Sequence, residues 1–459
     1  MTHLLRRTFT YTLVGSIFVL LKILISFFID GGPDFTSEIK YTFMLRFCRK
    51  QPILELCVIF IASSVLTKTM ATSHPFENRD VAAAFTKANK AFMLSLLKQL
   101  PSESNIFYSP FSISTALAMV HLGAKSETLE EMNRALHFEK MGIDVHSAFG
   151  SYLEFLSKET GDCTLKTANK IYQSMRFKPE ESFLQDCSKN FKATVEAVDF
   201  SQSEAASKKI NSWVSQQTEN KIQNLIPAGA LNSLTFMVLV NAIYFKGNWN
   251  SQFNSKHTQV MEFRNAKEKF MTNMMYQKAS FRFCHFPDQM LNALELPYQG
   301  QTLSMLILLP TVVDGLENLE KNLTESLLKN MVSSLREKKV EVFLPKFKME
   351  STYQMKSHLS ALGIPSAFDE TKADFSGMDK GKDVYISEVF HKAFVEVNEE
   401  GTEAAAATGV VMMKRSIQIT PEFRADHPFL FFIRDSVNDV ILFAGRFYKP
   451  IGDSLKDEL

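Results

Sequence analysis

The eighteen residues from Glu399 to Ser416, EEGTEAAAATGVVMMKRS, constrain this chain more than any other segment. Read with period two, Thr402, Ala404, Ala406, Thr408, Val410 and Met412 share one face, and none of them is charged, while Glu403 falls on the other. Small uncharged side chains on alternate positions suit a strand in the middle of a sheet, under whatever packs above it. Yet alanines between Gly401 and Gly409, ending in Lys414-Arg415, also describe an exposed and flexible peptide open to proteolysis. A segment fit for both states reads as a loop first and a strand later.

A chain of 459 residues with 45% apolar content and 40 phenylalanines can bury a large core. Its 51 basic and 50 acidic residues nearly cancel, so no global field favours nucleic acid or another polyanion. The five cysteines, Cys48, Cys57, Cys163, Cys187 and Cys284, form no CxxC pair and no zinc-type spacing. Only three lie beyond the apolar N-terminal region, which allows one bridge at most. No metal and no cofactor are expected. No GxSxG, glycine-rich phosphate loop, HExxH or paired-carboxylate spacing stands out, and His121, His285 and His358 read as scattered structural histidines. The chain does not read as an enzyme.

Both ends read as addresses. The last four residues, Lys456-Asp457-Glu458-Leu459, form the receptor-read retention signal of the endoplasmic reticulum lumen. Arg46, Arg49 and Lys50 precede an apolar run from Ile53 to Val65, within which Ala62-Ser63-Ser64 offer small residues for cleavage. That is a signal peptide if translation starts at Met44. A second apolar stretch, Thr12 to Ile29, carries Lys22 and is marginal as a membrane span. A start at Met70 would instead give a cytosolic protein, leaving the tail without a role. Residues 1–70 are therefore set apart as a targeting region, 71–451 as one domain and 452–459 as a tail, with the endoplasmic reticulum lumen and secretory pathway as the expected location.

From about Ser73 to Ile451 no linker, repeat or composition break appears, so one α+β domain is the simplest reading. Helical spacing runs over Val81–Leu100, Ser112–His121 after Ser109-Pro110, Ser126–Leu136 and Glu204–Gln217. Strand-like segments dominate later: Thr235–Phe245, Ala293–Leu296, Ser304–Leu309, Lys339–Phe343, Val384–Val397, His427–Ile433 and Val440–Phe447.

Several motifs spread over essentially residues 75–450 carry one and the same family resemblance. Asn105-Ile106-Phe107-Tyr108-Ser109-Pro110-Phe111-Ser112 resembles the opening of the family's second helix. Ile210 to Val214 and Thr218 to Ile222 are similar to its sixth helix and following turn, with Asn220 where glycine is usual. Val240 to Trp249 resembles the third strand of the main sheet, and Asp426 to Phe431 with Phe443 to Arg446 the C-terminal strands. Together these segments resemble the serpin family, and the resemblance implies helices plus three β-sheets with an exposed reactive-centre loop. It aligns Glu399 to Arg415 with that loop, at the length of inhibitors.

The resemblance further implies a suicide-substrate inhibitor. A serine protease would cut Arg415–Ser416, acylating the Arg415 carbonyl, and the loop would insert into the sheet. Gly401, Thr402, Glu403, Ala404, Ala405, Ala406 and Ala407 would be its hinge. Seventeen extended residues reach roughly 55 Å at ~3.3 Å each, enough to cross a domain. Insertion would add on the order of ten backbone hydrogen bonds at ~1 kcal/mol each. Lys414 beside Arg415 is the dibasic signature of subtilisin-like proprotein convertases, whereas Met412 departs from the arginine that furin prefers. In this respect the chain is similar to retained, convertase-inhibiting serpins of invertebrates, the lancelet type especially. Ser112, Asn241 and His391 would form the polar cluster beneath the main sheet that governs its opening.

The expected partners are secretory-pathway serine proteases, held covalently, and the KDEL receptor; a monomer is expected. Asn322-Leu323-Thr324 is the one glycosylation sequon, meaningful in a lumenal chain. Two alternatives stand beside this reading, a non-inhibitory lumenal chaperone and an inhibitor of trypsin-like proteases that need only Arg415. Small residues on alternate hinge positions argue against the chaperone.

Overall fold

A computed structural model describes residues 75–76, 78–141, 145–159, 163–380, 384–400 and 420–451, all within the unit His74–Leu459. The targeting region, residues 401–419 and the C-terminal tail lie outside the described residues. In chain order the main helices are α1 (Arg79–Leu97), α2 (Pro110–His121), α3 (Ser126–Ala135), α4 (Val145–Glu159), α5 (Glu181–Phe191) and α6 (Ser203–Gln217). Three shorter helices follow, α7 (Leu316–Asn322), α8 (Glu325–Ser334) and α9 (Lys356–Ala361). The fold is α+β.

Five strands form the first sheet, in the order β10 (Phe347–Gln354), β11 (Glu388–Val397), β4 (Met237–Lys246), β2 (Thr164–Ser174) and β3 (Val195–Val198). The second group runs β1 (Ile106–Tyr108), β14 (Val440–Phe447), β13 (Phe429–Asp435), β8 (Leu303–Pro310), β7 (Leu291–Pro297), β6 (Lys269–Phe286), β9 (Arg336–Pro345) and β12 (Glu422–Arg424), with β5 (Gln259–Arg264) also on β6. The 18-residue β6 belongs to two layers at once. Its start and middle pair with β5 and β9, and its last five residues, Arg282 to Phe286, pair with β7. Two of the three layers expected from sequence are thus continuous through one strand.

β4 explains how the first sheet is held. Met237, Leu239, Ile243 and Phe245 enter the main core, while Val238, Val240, Ala242 and Tyr244 enter a second, smaller one. Burial on both faces is why its sequence is almost unbroken apolar residues. The second core is roofed by Ala206, Ile210 and Val214 of α6 and by Ile222, Leu225 and Ile226 of the segment that follows. In that turn Glu219 and Asn220 adopt positive φ values of 53° and 61°. Asparagine tolerates the left-handed region, which accounts for Asn220 at a position where the resemblance puts glycine.

α2 is buried along all twelve residues, so it carries no polar face and passes through the core. Ser109 caps it, its hydroxyl accepting from the Ser112 N–H, with Pro110 at the first turn. Cys163, Cys187 and Cys284 form no disulfide with one another. Burial pushes the Cys187 thiol up to about 12.

Candidate functional site

The strand reading placed Asn241 and His391 on separate elements, and the structure sets them opposite one another. β4 and β11 pair in parallel from Val238↔Glu388 to Phe245↔Val395, with Asn241↔His391 in the middle. The His391 Nδ1–H donates to Asn241 Oδ1, and His391 Nε2 accepts the Ser109 N–H at 3.1 Å. With one ring nitrogen donating and the other accepting, the imidazole is neutral, in a single tautomer. Complete burial carries its pKa down to about 3.

Asn241 Nδ2 in turn donates to the Ser112 carbonyl at 2.9 Å, and contacts Ser112 Oγ and Asn169 Oδ1. The Ser109 hydroxyl donates to the Leu442 carbonyl at 2.6 Å. Ser109, Ser112, Asn241 and His391 are all fully buried. Five residues from α2 and its cap, β2, β4 and β11 thus form one polar knot across an otherwise apolar seam. Because its groups satisfy each other, burial costs little; separating β4 from β11 would leave several of them unpaired at once.

The end of the seam near Val397 is pinned separately. The Trp249 indole N–H donates to the Asn398 carbonyl at 2.9 Å, and the Phe253 N–H to the Glu399 carbonyl at 2.9 Å. The Glu399 carboxylate accepts the Thr258 hydroxyl at 2.7 Å and faces Lys346 at 3.2 Å. Burial works against its charge, but the Thr258 hydroxyl and Lys346 outweigh it and hold the pKa below the usual carboxylate value. Trp249 stacks on Tyr298 at 4.6 Å between ring centres. Gly247 permits this, since a Cβ there would sit 2.7 Å from the Phe245 ring and 2.8 Å from the Tyr298 ring. A third tie crosses the sheet face, where the buried Lys392 of β11 donates to the Gln223 carbonyl at 2.6 Å and pairs with Glu350.

Sequence pattern assigns no role to Asn169, Thr258 or Lys346, and it gives Ser109, Trp249 and Glu399 a place in motifs or at the start of the loop but none of these contacts. Ser109 had been read as a helix start, which it also is; nothing local marks Asn169, whose partners come from other elements. Asn322 is exposed at the end of α7, its amide bonded to Asn318, and Thr324 caps α8. His121 has an unforeseen neighbour, with its Nδ1 3.0 Å from His146 Nε2 and its Nε2 2.9 Å from Asn133 Oδ1. Gly401 to Ala407, Met412, Lys414, Arg415, Ser416 and Lys456 to Leu459 lie outside the described residues. Among the described residues no group of three or more His, Cys, Asp or Glu side chains is placed to hold a metal ion.

An α+β domain whose first sheet contains a parallel, polar-knotted seam, with the seventeen residues Glu399 to Arg415 following β11 in the sequence, defines a recognisable class. The family model described as Serpin (serine protease inhibitor) matches residues 87–450, and the chain belongs to the serpin family. It is 46% identical over 372 residues to Serpin B8 of Homo sapiens, covering 79% of this chain and 99% of that protein. It is 45% identical over 354 residues to a leukocyte elastase inhibitor of Xenopus tropicalis, covering 75% of this chain and 93% of that one. Among solved structures, uncleaved ovalbumin matches with a TM-score of 0.73 at 34% identity, covering 80% of this chain and all of that one. Serpin48 of Tenebrio molitor matches with 0.71 at 36% identity, covering 82% and 100%.

Proposed function

We propose that this serpin inhibits serine proteases as a suicide substrate cut at Arg415–Ser416, and that its targets are dibasic-specific, subtilisin-like proprotein convertases of the secretory pathway. The observation that carries the inhibitory part is the seam. β4 and β11 are parallel neighbours. A chain returning from the end of β11 would therefore run antiparallel to both and could pair with each. The loop begins where Glu399 is anchored, and its alternate positions from Thr402 to Met412 are small or uncharged, as a strand between two cores requires. Separating the strands means breaking the His391–Asn241 bond, so the polar knot sets the resistance to opening. The name of the amphibian relative, an elastase inhibitor, supports the same reading.

Lys414-Arg415 supports the dibasic target, and Met412 favours convertases content with Lys-Arg. Lys456-Asp457-Glu458-Leu459 supports residence in the endoplasmic reticulum lumen, bound by the KDEL receptor, as in the retained invertebrate serpins that this chain resembles. In that compartment Asn322, being exposed, is available for glycosylation.

The test is a denaturing gel after mixing the purified protein with a convertase and, in parallel, with trypsin. A stable higher-mass adduct with the convertase supports the proposal. An adduct with trypsin alone would move the target to trypsin-like enzymes, and simple clipping at Arg415 with both would sink inhibition altogether.

A further inference from the structure

α2 stops on a buried histidine. His121 is its last residue, 8% exposed, and α3, α4 and the turn Phe138–Lys140 close over its ring. Asn133 of α3 sets Oδ1 2.9 Å from His121 Nε2, and His146 in the first turn of α4 sets Nε2 3.0 Å from His121 Nδ1. Phe138 meets the His121 ring edge-on at 5.5 Å between centres. His146 stands edge-on to Phe191, the last residue of α5, at 6.1 Å. Helices α2, α3 and α4 thus join through one imidazole.

An amide oxygen only accepts, so His121 Nε2 carries a proton and donates it to Asn133. In the neutral pair His121 Nδ1 then accepts the His146 Nε2–H. One added proton can be shared between the facing nitrogens. A second sets N–H against N–H and two cations 3.0 Å apart, and the contact gives way. Among the described residues the groups set against His121 are Asn133, Phe138 and His146, and only the last titrates. From Pro110 to Val120 its own helix has no Asp, Glu, Lys or Arg. Burial therefore lowers the His121 pKa below the ordinary imidazole value, and the bond to Asn133 offsets only part of this.

The rest of α4 is held independently. Further along it, Tyr152 donates its hydroxyl to Asp435 at 3.0 Å and packs on Phe76, Phe85 and Phe111. Loss of the histidine contact would free the opening turn of α4 and leave the remainder docked.

We propose that His121 and His146 form a pH-operated latch, closed at neutral pH, whose opening in mild acid detaches the first turn of α4 and uncovers Phe138 and Phe191. It lies at the opposite end of α2 from Ser109 and the His391 knot, and so adds a second, local response to pH. Because protonation opens it, the contact is complete above pH 6.5 and is lost as pH falls below that value.

Hydrogen–deuterium exchange of the full, uncut chain at pH 7.5, 6.5 and 5.5, corrected for intrinsic rates, reads the latch. The informative amides are those of residues 149–152, whose helical acceptors are the carbonyls of residues 145–148. Their protection, taken relative to the amides of β11 that report on His391, is expected to fall about tenfold between pH 6.5 and 5.5, the change that uptake of one proton allows. In His121→Leu that relative fall should vanish. It should vanish also in His146→Gln, a change at a half-buried position. Glutamine can donate to the neutral His121 ring and, turned over, accept from the charged one. A fall of wild-type size in His146→Gln overturns the proposal, as does constant wild-type protection across the range. An equal fall in β11 and α4 would trace the effect to the sheet and overturn the latch as well.

Discussion

His391 and Asn241 are register partners across β4 and β11, and their side chains share a hydrogen bond directly over the pairing. The neutral imidazole makes this link pH-sensitive. Its folded pKa of about 3 lies below the ordinary value near 6.5, so the unfolded or opened protein takes up a proton that the closed form refuses. Stability of the closed sheet is therefore fully present above pH 6.5 and falls as pH drops towards 3, by up to about 1.4 kcal/mol per pH unit. Incubation at 40–50 °C, followed on native gels, should show conversion to inserted or polymeric forms accelerating between pH 7.5 and pH 5. A His391→Asn variant should convert faster at every pH and with a weaker pH dependence; an equal dependence would rule out this residue as its origin.

Truncating Asn241 to alanine removes the acceptor of His391 and the donor to Ser112, leaving buried groups orphaned. The expected loss is about 2–4 kcal/mol, read as a lower melting temperature of the uncut protein. Because Arg415 is untouched, cleavage by trypsin should proceed at the wild-type rate.

At the Val397 end of the seam, Glu399→Lys would bring a second ammonium beside Lys346 in place of an ion pair 3.2 Å long. Glu399→Gln keeps the Thr258 contact and loses only the charge. The lysine variant should lower the melting temperature more than the glutamine variant, and both differences should shrink in high salt. For wild type the depressed carboxylate pKa means that this contribution is present at neutral pH and is lost as pH falls through the folded value. Identical melting of the two variants would deny Lys346 a part.

Thr402→Arg should leave Arg415 cleavable but abolish the covalent adduct, since a cation cannot enter the apolar layer beside β4 and β11 without a large desolvation cost. Arg415→Ala should abolish both cleavage and adduct. A trapped complex from Thr402→Arg would contradict insertion.

Removing Lys456 to Leu459 should release the protein into the medium of cells expressing it, measured by immunoblot of both fractions. Unchanged retention would argue against the tail as an address.

Local pattern made parts of this fold legible. The strand read at Val440–Phe447 has those bounds in the structure; β4 announced itself by a run apolar but for Asn241, and α2 by helical spacing after Ser109-Pro110 with no Asp, Glu, Lys or Arg, because each is buried on all sides. β2 went unread because Lys166, Asn169 and Lys170 interrupt it. Lys170 is neutralised by Glu196 of β3 and lies 4.9 Å from the Trp213 ring centre, partners that only the tertiary fold supplies. β6 hid likewise behind Lys278 and Arg282, whose carboxylates come from β9 and β7. The strand expected from Val384 starts only at Glu388, since Ile386 and Ser387 give their N–H groups to Ala367 and Met237 as a connection. In the polar knot, Ser109 and His391 are 282 residues apart, beyond the reach of any periodicity.

The thiols have a consequence of their own. Sulfur chemistry proceeds through the thiolate, and Cys187, held up at about 12 by burial, carries almost none at neutral pH. Cys163 is equally enclosed. Among the described residues no disulfide ties this fold together, so passage between reducing and oxidising surroundings would leave the Cys187 position, and the age of any given molecule, chemically unmarked.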